Sequence, residues 1–244
     1  MSPSAGQDMQ PCWSDFELLP AELEGCRACP RLVAHREQVA VTKRAAYRDQ
    51  PYWGRPVPGF GDPAARLLLL GLAPGAHGSN RTGRQFTGDA SGDFLFPALH
   101  RAGVADRPDS TTRGDGLHLR SVWITAAVRC VPPGNRPRRD EALRCRAWLE
   151  RDLAGLPHLQ AVLALGAFAH DAYLELLRAH GANLVKNRHR FAHGAVHRLG
   201  EAHPGALVLI DSYHPSFQNT NTGVLSAAML DRTLEAAKTY ARIA

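Results

Sequence analysis

The chain has 244 residues, 44% of them hydrophobic and 21% charged, which fits one globular domain with a sizeable core and argues against a disordered or low-complexity protein. No stretch approaches the ~18 consecutive apolar residues that a membrane helix needs, so the expectation is a soluble, cytoplasmic protein. A formal net charge of +6, carried mostly by arginine, favours polyanionic partners, although an arginine bias of the source genome gives the same balance.

Residues 1–11 contain no apolar segment of the kind found in a secretory signal, and they are expected to form a mobile tail on a single domain spanning 12–244. Residues 12–63 are less regular and turn proline-rich from Pro51 to Pro56, which suggests an N-terminal wrap on the same core. Four apolar runs then read as buried strands, at 65–72, 121–128, 159–165 and 206–211. Helix-like periodicity lies between them at 90–102, 139–153 and 167–179, and again after the last run at 224–243. Strands alternating with helices predict parallel pairing with helices on both faces, hence a three-layer α/β/α sandwich around a mostly parallel four-stranded sheet. Ligands of such sheets sit at the carboxyl ends of the strands. Two basic concentrations, Arg136 to Arg139 and Lys186 to Arg190, suit either an anion or plain solvent.

The first strand empties into GLAPGAHGSNRTGRQFTGDASGDF, residues 71–94, and a strand running into a glycine-rich loop points to an anion. Gly78 to Gly83 has the spacing of a nucleotide-binding P-loop, and the apolar run ending at Asp211 resembles a magnesium-holding strand. Against this rival, a P-loop needs a lysine and then a hydroxyl after its second glycine, whereas Arg84 and Gln85 stand there. Pro74 also removes an amide at the turn.

Cys26 and Cys29 form a CxxC pair, Cys130 and Cys145 a wider one, and Cys12 is left over. Four thiolates at such spacing suggest a structural metal site, and on ligand chemistry zinc and an iron–sulfur cluster fit equally.

Taken together, residues 71–92, the four-cysteine spacing, Cys130-Val131-Pro132-Pro133-Gly134-Asn135-Arg136-Pro137 and Ser212-Tyr213-His214-Pro215-Ser216-Phe217-Gln218-Asn219-Thr220-Asn221-Thr222-Gly223 resemble the family 5 uracil-DNA glycosylases (UDGb type) from about Cys26 to the last helix. The resemblance implies an α/β/α glycosylase fold, a [4Fe–4S] cluster on Cys26, Cys29, Cys130 and Cys145, and removal of uracil and other deaminated bases from DNA. It places Gly71, Ala73, Pro74, Gly75, Ala76, His77, Phe86, Ala126, Ser216, Asn219 and Asn221 at the base and the DNA backbone. Phe86 offers a stacking face, and is equally well a core aromatic. Asp89 suits positioning or deprotonation of the attacking water, and it also suits an N-cap; the two roles are compatible. His214, at a strand end before a proline, suits a hydrogen bond to the departing base. The small, amide-rich stretch 216–223 suits phosphate contacts and insertion beside a flipped base, or, for Asn221 and Thr222, capping of the last helix.

The sequence departs from the sister family 4 enzymes in carrying Leu72 where they have glutamate, Ala76 and His77 where an acidic residue follows the glycine, and Ala126 where an asparagine reads the uracil edge. The first two shift the catalytic burden toward Asp89, with His77 as the second candidate, and the third predicts a broad substrate range including hypoxanthine or ethenocytosine. Gln85 replaces a proline common in relatives, with no evident consequence in the sequence. Lys43, Lys186 and Lys238 are the only lysines and none falls in a motif, so a monofunctional enzyme is expected; a monomer with no nucleotide cofactor, acting on double-stranded or single-stranded DNA, completes the expectation. A non-catalytic module that binds damaged DNA is the alternative.

Overall fold

The computed structural model describes residues 13–184, 188–200 and 208–244; the expected tail, Cys12, Lys186 and the start of the run at 206–211 lie outside them. Its strands are β1 (Phe60–Gly61), β2 (Leu67–Gly71), β3 (Val122–Ala126), β4 (Ala161–Leu165), β5 (Val196–Arg198) and β6 (Val208–Ser212). The principal helices are α1 (Trp13–Glu24), α2 (Pro30–Thr42), α3 (Ser79–Thr82), α4 (Ala90–Arg101), α5 (Arg139–Ala154), α6 (Ala167–Ala179), α7 (Phe217–Asn221) and α8 (Ala227–Ala241).

Every residue of β2, β3, β4 and β6 is buried, and these four pair in parallel in the order β3-β2-β4-β6. Such strands read as continuous apolar runs because both faces are covered. Side chains alternate between the faces: Leu67 and Leu69 pack with Leu95 and Leu99 of α4 and Leu230 and Leu234 of α8, whereas Leu68 and Leu70 pack with Leu149 and Leu153 of α5 and Tyr173 and Leu177 of α6. The three-layer architecture is therefore as expected.

The strand number is not. Among the described residues the sheet has six strands, with β1 and β5 pairing antiparallel to β3 and β6 at its two edges. β1 is too short to show a period, and the inward residue of β5 is a histidine, His197, so apolar alternation could not mark it. The N-terminal wrap also contains two helices. α2 starts with Pro30 in its first turn, where a missing N–H costs nothing, and α1 packs on α5. The last helix begins later than its periodicity predicts because Ser226 caps it, its hydroxyl accepting from Met229 N at 3.3 Å; Asn221 and Thr222 are not its cap. No described helix is long and apolar enough to cross a membrane.

Candidate active site

The carboxyl ends of β2, β3 and β6 open on one cleft of about 590 Å³. It gathers Gly71, Ala73, Gly75, Phe86, Asp89, Ala126, His214 and Ser216 from three separate stretches of chain.

The loop after β2 builds one wall. Phe86 adopts φ 51°, in the left-handed region that costs a non-glycine residue ~1–3 kcal/mol, and its surroundings must hold it there. Before it, buried Arg84 forms a two-pronged ion pair with Asp115, Nη1 to Oδ1 at 2.8 Å and Nη2 to Oδ2 at 2.6 Å, and also donates to Ser110 and Thr87 hydroxyls. Burial opposes ionisation of Asp115, but Arg84 and three backbone N–H groups outweigh it and hold the carboxyl well below its usual range. The Phe86 ring thus lies against the end of β2: a Cβ on Gly71 would stand 2.7 Å from its Cζ. Its centroid is 5.9 Å from the His214 ring, tilted by 32°. Phe86 is at once a core residue and a wall of the cleft.

Asp89 caps α4, with Oδ1 accepting from Ser91 N at 3.0 Å and Gly92 N at 3.3 Å. Its Oδ2 leans on the Gly75–Gly78 turn, where a Cβ on Gly75 would come within 2.7 Å and one on Gly78 would collide outright. Burial raises its pKa, opposed by the two backbone donors.

His214 follows β6 and is gripped through its backbone. Its carbonyl accepts from Asn219 Nδ2 at 2.9 Å, and the preceding Tyr213 donates its N–H to His193 Nδ1 at 3.2 Å and stacks on that ring. The His214 imidazole makes no hydrogen bond among the described residues, and burial pushes its pKa down to about 4. It is neutral at physiological pH, with one N–H to donate.

Other expected positions fall outside the cleft lining. His77 faces away, its Nδ1 2.9 Å from the Tyr52 hydroxyl. Pro74 and Ala76 do not line the cleft, Asn219 acts through the His214 carbonyl, and Asn221 is exposed at the end of α7. In their place the cleft is lined by residues the motifs did not single out: Gln85, Asn135, Arg136 and the 66% exposed Phe217. The sequence signals pointing to that rim were the Arg136 to Arg139 charge cluster, the motif 130–137 and the small, amide-rich stretch 216–223, none of which marked these residues individually.

Asp211 is not free for magnesium. It is fully buried and accepts from His197 Nε2 at 2.9 Å, lies 2.8 Å from His170 Nδ1, and accepts from Ala192 N at 3.2 Å. These hydrogen bonds account for its charge without an ion, and the P-loop rival loses its acidic partner.

All four expected cysteines line a second cavity, walled by Leu32, Val33, Val128 and Trp148. Burial pushes the Cys130 thiol up to about 11 and Cys145 to about 12, and raises Cys29. Yet the almost fully buried Arg36 donates from Nη1 to Cys130 Sγ at 2.9 Å, and Arg129 N donates to Cys145 Sγ at 3.3 Å. Arg36 Nε has no partner of its own, and the donors of Arg36 and Arg129 suit sulfur that carries negative charge. One zinc ion ~2.3 Å from each sulfur would bring them to ~3.8 Å from one another. Among the described residues only His170, His197 and Asp211 set three ligand atoms within 4.8 Å, so the thiols are spread more widely than a single ion requires.

The family description that matches the chain is the uracil DNA glycosylase superfamily, over residues 58–238. The chain is 53% identical to a type-5 uracil-DNA glycosylase of Thermus thermophilus, over 93% of this chain and 99% of that protein. It is 51% identical to one of Mycobacterium tuberculosis, over 92% and 81%, and 44% identical to one of Pyrobaculum aerophilum, over 88% of each.

Proposed function

We propose how the cleft works from a premise that the comparisons supply: the chain belongs to the uracil DNA glycosylase superfamily and is a DNA repair glycosylase that excises uracil by hydrolysing its N-glycosidic bond. The observation that carries the mechanism is the convergence in one cleft of a half-buried carboxylate, a neutral imidazole and an aromatic face. A glycosylase acts on a base turned out of the duplex. The base stacks on Phe86, and the neutral His214 donates a hydrogen bond to the oxygen on which negative charge develops as the bond breaks. A neutral donor is suited to this, since it stabilises the anion without competing for a proton in the ground state. Asp89 Oδ2 orients the attacking water and, as a carboxylate, stabilises positive charge on the sugar. Arg136 meets the DNA backbone, and exposed Phe217 is the apolar side chain available to fill the space the base leaves.

Among the described residues no lysine is poised for lyase chemistry. Lys43 Nζ donates to the carbonyls of Arg48 and Gln50, and Lys238 is paired with Glu235 on α8. The product is therefore an intact abasic site. Ala126 puts no amide at the position where an asparagine would read the uracil edge, which supports action on bases beyond uracil, hypoxanthine or ethenocytosine among them. A [4Fe–4S] cluster held by Cys26, Cys29, Cys130 and Cys145 fits the wide thiol spacing and the donors of Arg36 and Arg129; it would supply a covalent tie between α2, the segment after β3 and α5. We read residues 12–244 as one domain acting as a monomer.

The test is base release from duplexes carrying one uracil, hypoxanthine or ethenocytosine. Scission that needs hot alkali is the expected result. Scission without alkali, or borohydride trapping of protein on DNA, would overturn the monofunctional reading, and lesion binding with no release would favour the non-catalytic module.

A further inference from the structure

We propose that Gln85 reads the edge of the extruded base, accepting a hydrogen bond from a ring N–H at the position where deamination places one; the inference rests on the glycosylase reading above. Gln85 is 1% exposed and lines the cleft. Its Nε2 donates to the Val57 carbonyl at 3.1 Å. A carbonyl can only accept, so the amide nitrogen must face Val57 and the orientation of the carboxamide is fixed. The tether is itself rigid, because Val57 N donates to Arg129 O at 2.8 Å and Arg129 is locked to Asp152 in a fully buried ion pair.

Oε1 is then the free end of the group, and it accepts nothing from the described residues. The oxygen is not fully enclosed, and the cleft that Gln85 lines is the side from which it can receive a partner. Gln85 directly precedes Phe86, the stacking face, whose backbone is fixed in the left-handed region. Gly71 and Ala126 on the same floor offer no polar side chain. Ser79, the other buried polar side chain lining the cleft, has a hydroxyl that donates as readily as it accepts, and so cannot choose between edges.

An acceptor-only group does choose. Uracil at N3 and hypoxanthine at N1 carry a hydrogen, whereas cytosine at N3 and adenine at N1 present a lone pair at the same place. Gln85 Oε1 attracts the deaminated base and repels its parent, and a site built to hydrogen-bond an edge rejects the analogue that lacks the donor. Within a broad substrate range this places hypoxanthine above ethenocytosine, whose N3 is substituted.

The experiment compares single-turnover release of uracil and of N3-methyluracil from one duplex sequence by the full-length wild-type protein, Gln85→Leu and Gln85→Met. The wild type should release the methylated base roughly tenfold more slowly, the loss of one buried hydrogen bond. Either variant should release uracil roughly tenfold more slowly and treat the two bases alike. A merely structural role for Gln85 would lower both rates and keep their ratio. Equal wild-type rates, or a ratio preserved in whichever variant folds with an unchanged melting temperature, overturns the proposal. Failure of the wild type to release uracil at all would instead sink the glycosylase reading itself.

Discussion

Asp89 carries two loads on one carboxylate, and they can be separated. Oδ1 caps α4 while Oδ2 faces the glycine turn of the cleft. Asparagine caps as well as aspartate but bears no charge, so Asp89→Asn should leave urea unfolding within ~0.5 kcal/mol of wild type while single-turnover uracil release falls by ~10²-fold or more with DNA binding retained. An unchanged rate would return Asp89 to a purely capping role. Because burial raises its pKa, the acid limb of the wild-type rate should lie above the usual aspartate range and be absent in the variant. Asp89, Phe86 and His214 were legible in the sequence because each stands in a long motif at a strand end. That Gln85, Asn135 and Phe217 also line the cleft was not, since their placement depends on a tethered amide, a left-handed backbone at φ 56° and an exposed one-turn helix that residue type alone does not disclose.

The loop 71–94 acts as one element whose glycines make room for a carboxylate. Arg81 braces it from within, donating to the His77 carbonyl at 2.7 Å, the Gly88 carbonyl at 2.8 Å and Gln50 Oε1 at 2.7 Å. A side chain on Gly78 would occupy the position of Asp89 Oδ2. Gly78→Ala should therefore displace the carboxylate and reduce uracil release about as far as Asp89→Asn does, ~10²-fold, and adding it to Asp89→Asn should cost little more, because the two changes remove one function. Fully additive losses in the double variant would separate the glycine from the acid. The glycine-rich signal was plain in the sequence, but its meaning was not: spacing alone suits a phosphate cradle as well as a turn that admits a side chain. Similarly, the four central strands were readable from their apolar runs, whereas β1 and β5 carry no such run because they are short edges, one of them turned inward by a histidine.

Across the molecule, two histidines set opposite limits on stability. His170 on α6 has Nδ1 2.8 Å from Asp211 Oδ1 on β6 and Nε2 3.1 Å from the His189 carbonyl. Both neighbours are acceptors, so only the doubly protonated ring satisfies both. Burial works against that charge, but the hydrogen bond and charge of Asp211 outweigh it and raise the His170 pKa above 6.5. Its contribution is fully present below the unfolded pKa and is lost as pH rises through the higher folded one. His214 runs the other way. With its pKa lowered by burial to about 4, the unfolded chain takes up its proton first as pH falls, so stability declines between the ordinary histidine range and about 4. The melting temperature should accordingly peak near pH ~6.5, with His170→Gln lowering the peak and flattening its alkaline side, and His214→Gln flattening its acid side. A profile whose two limbs survive both substitutions would mean that other groups control them. The same pair links stability to function, because Asp211, the partner of His170, and the neutral His214 stand three residues apart at the carboxyl end of β6, so that a ring held toward its protonated form and one held away from it meet on the side of the sheet that opens on the cleft.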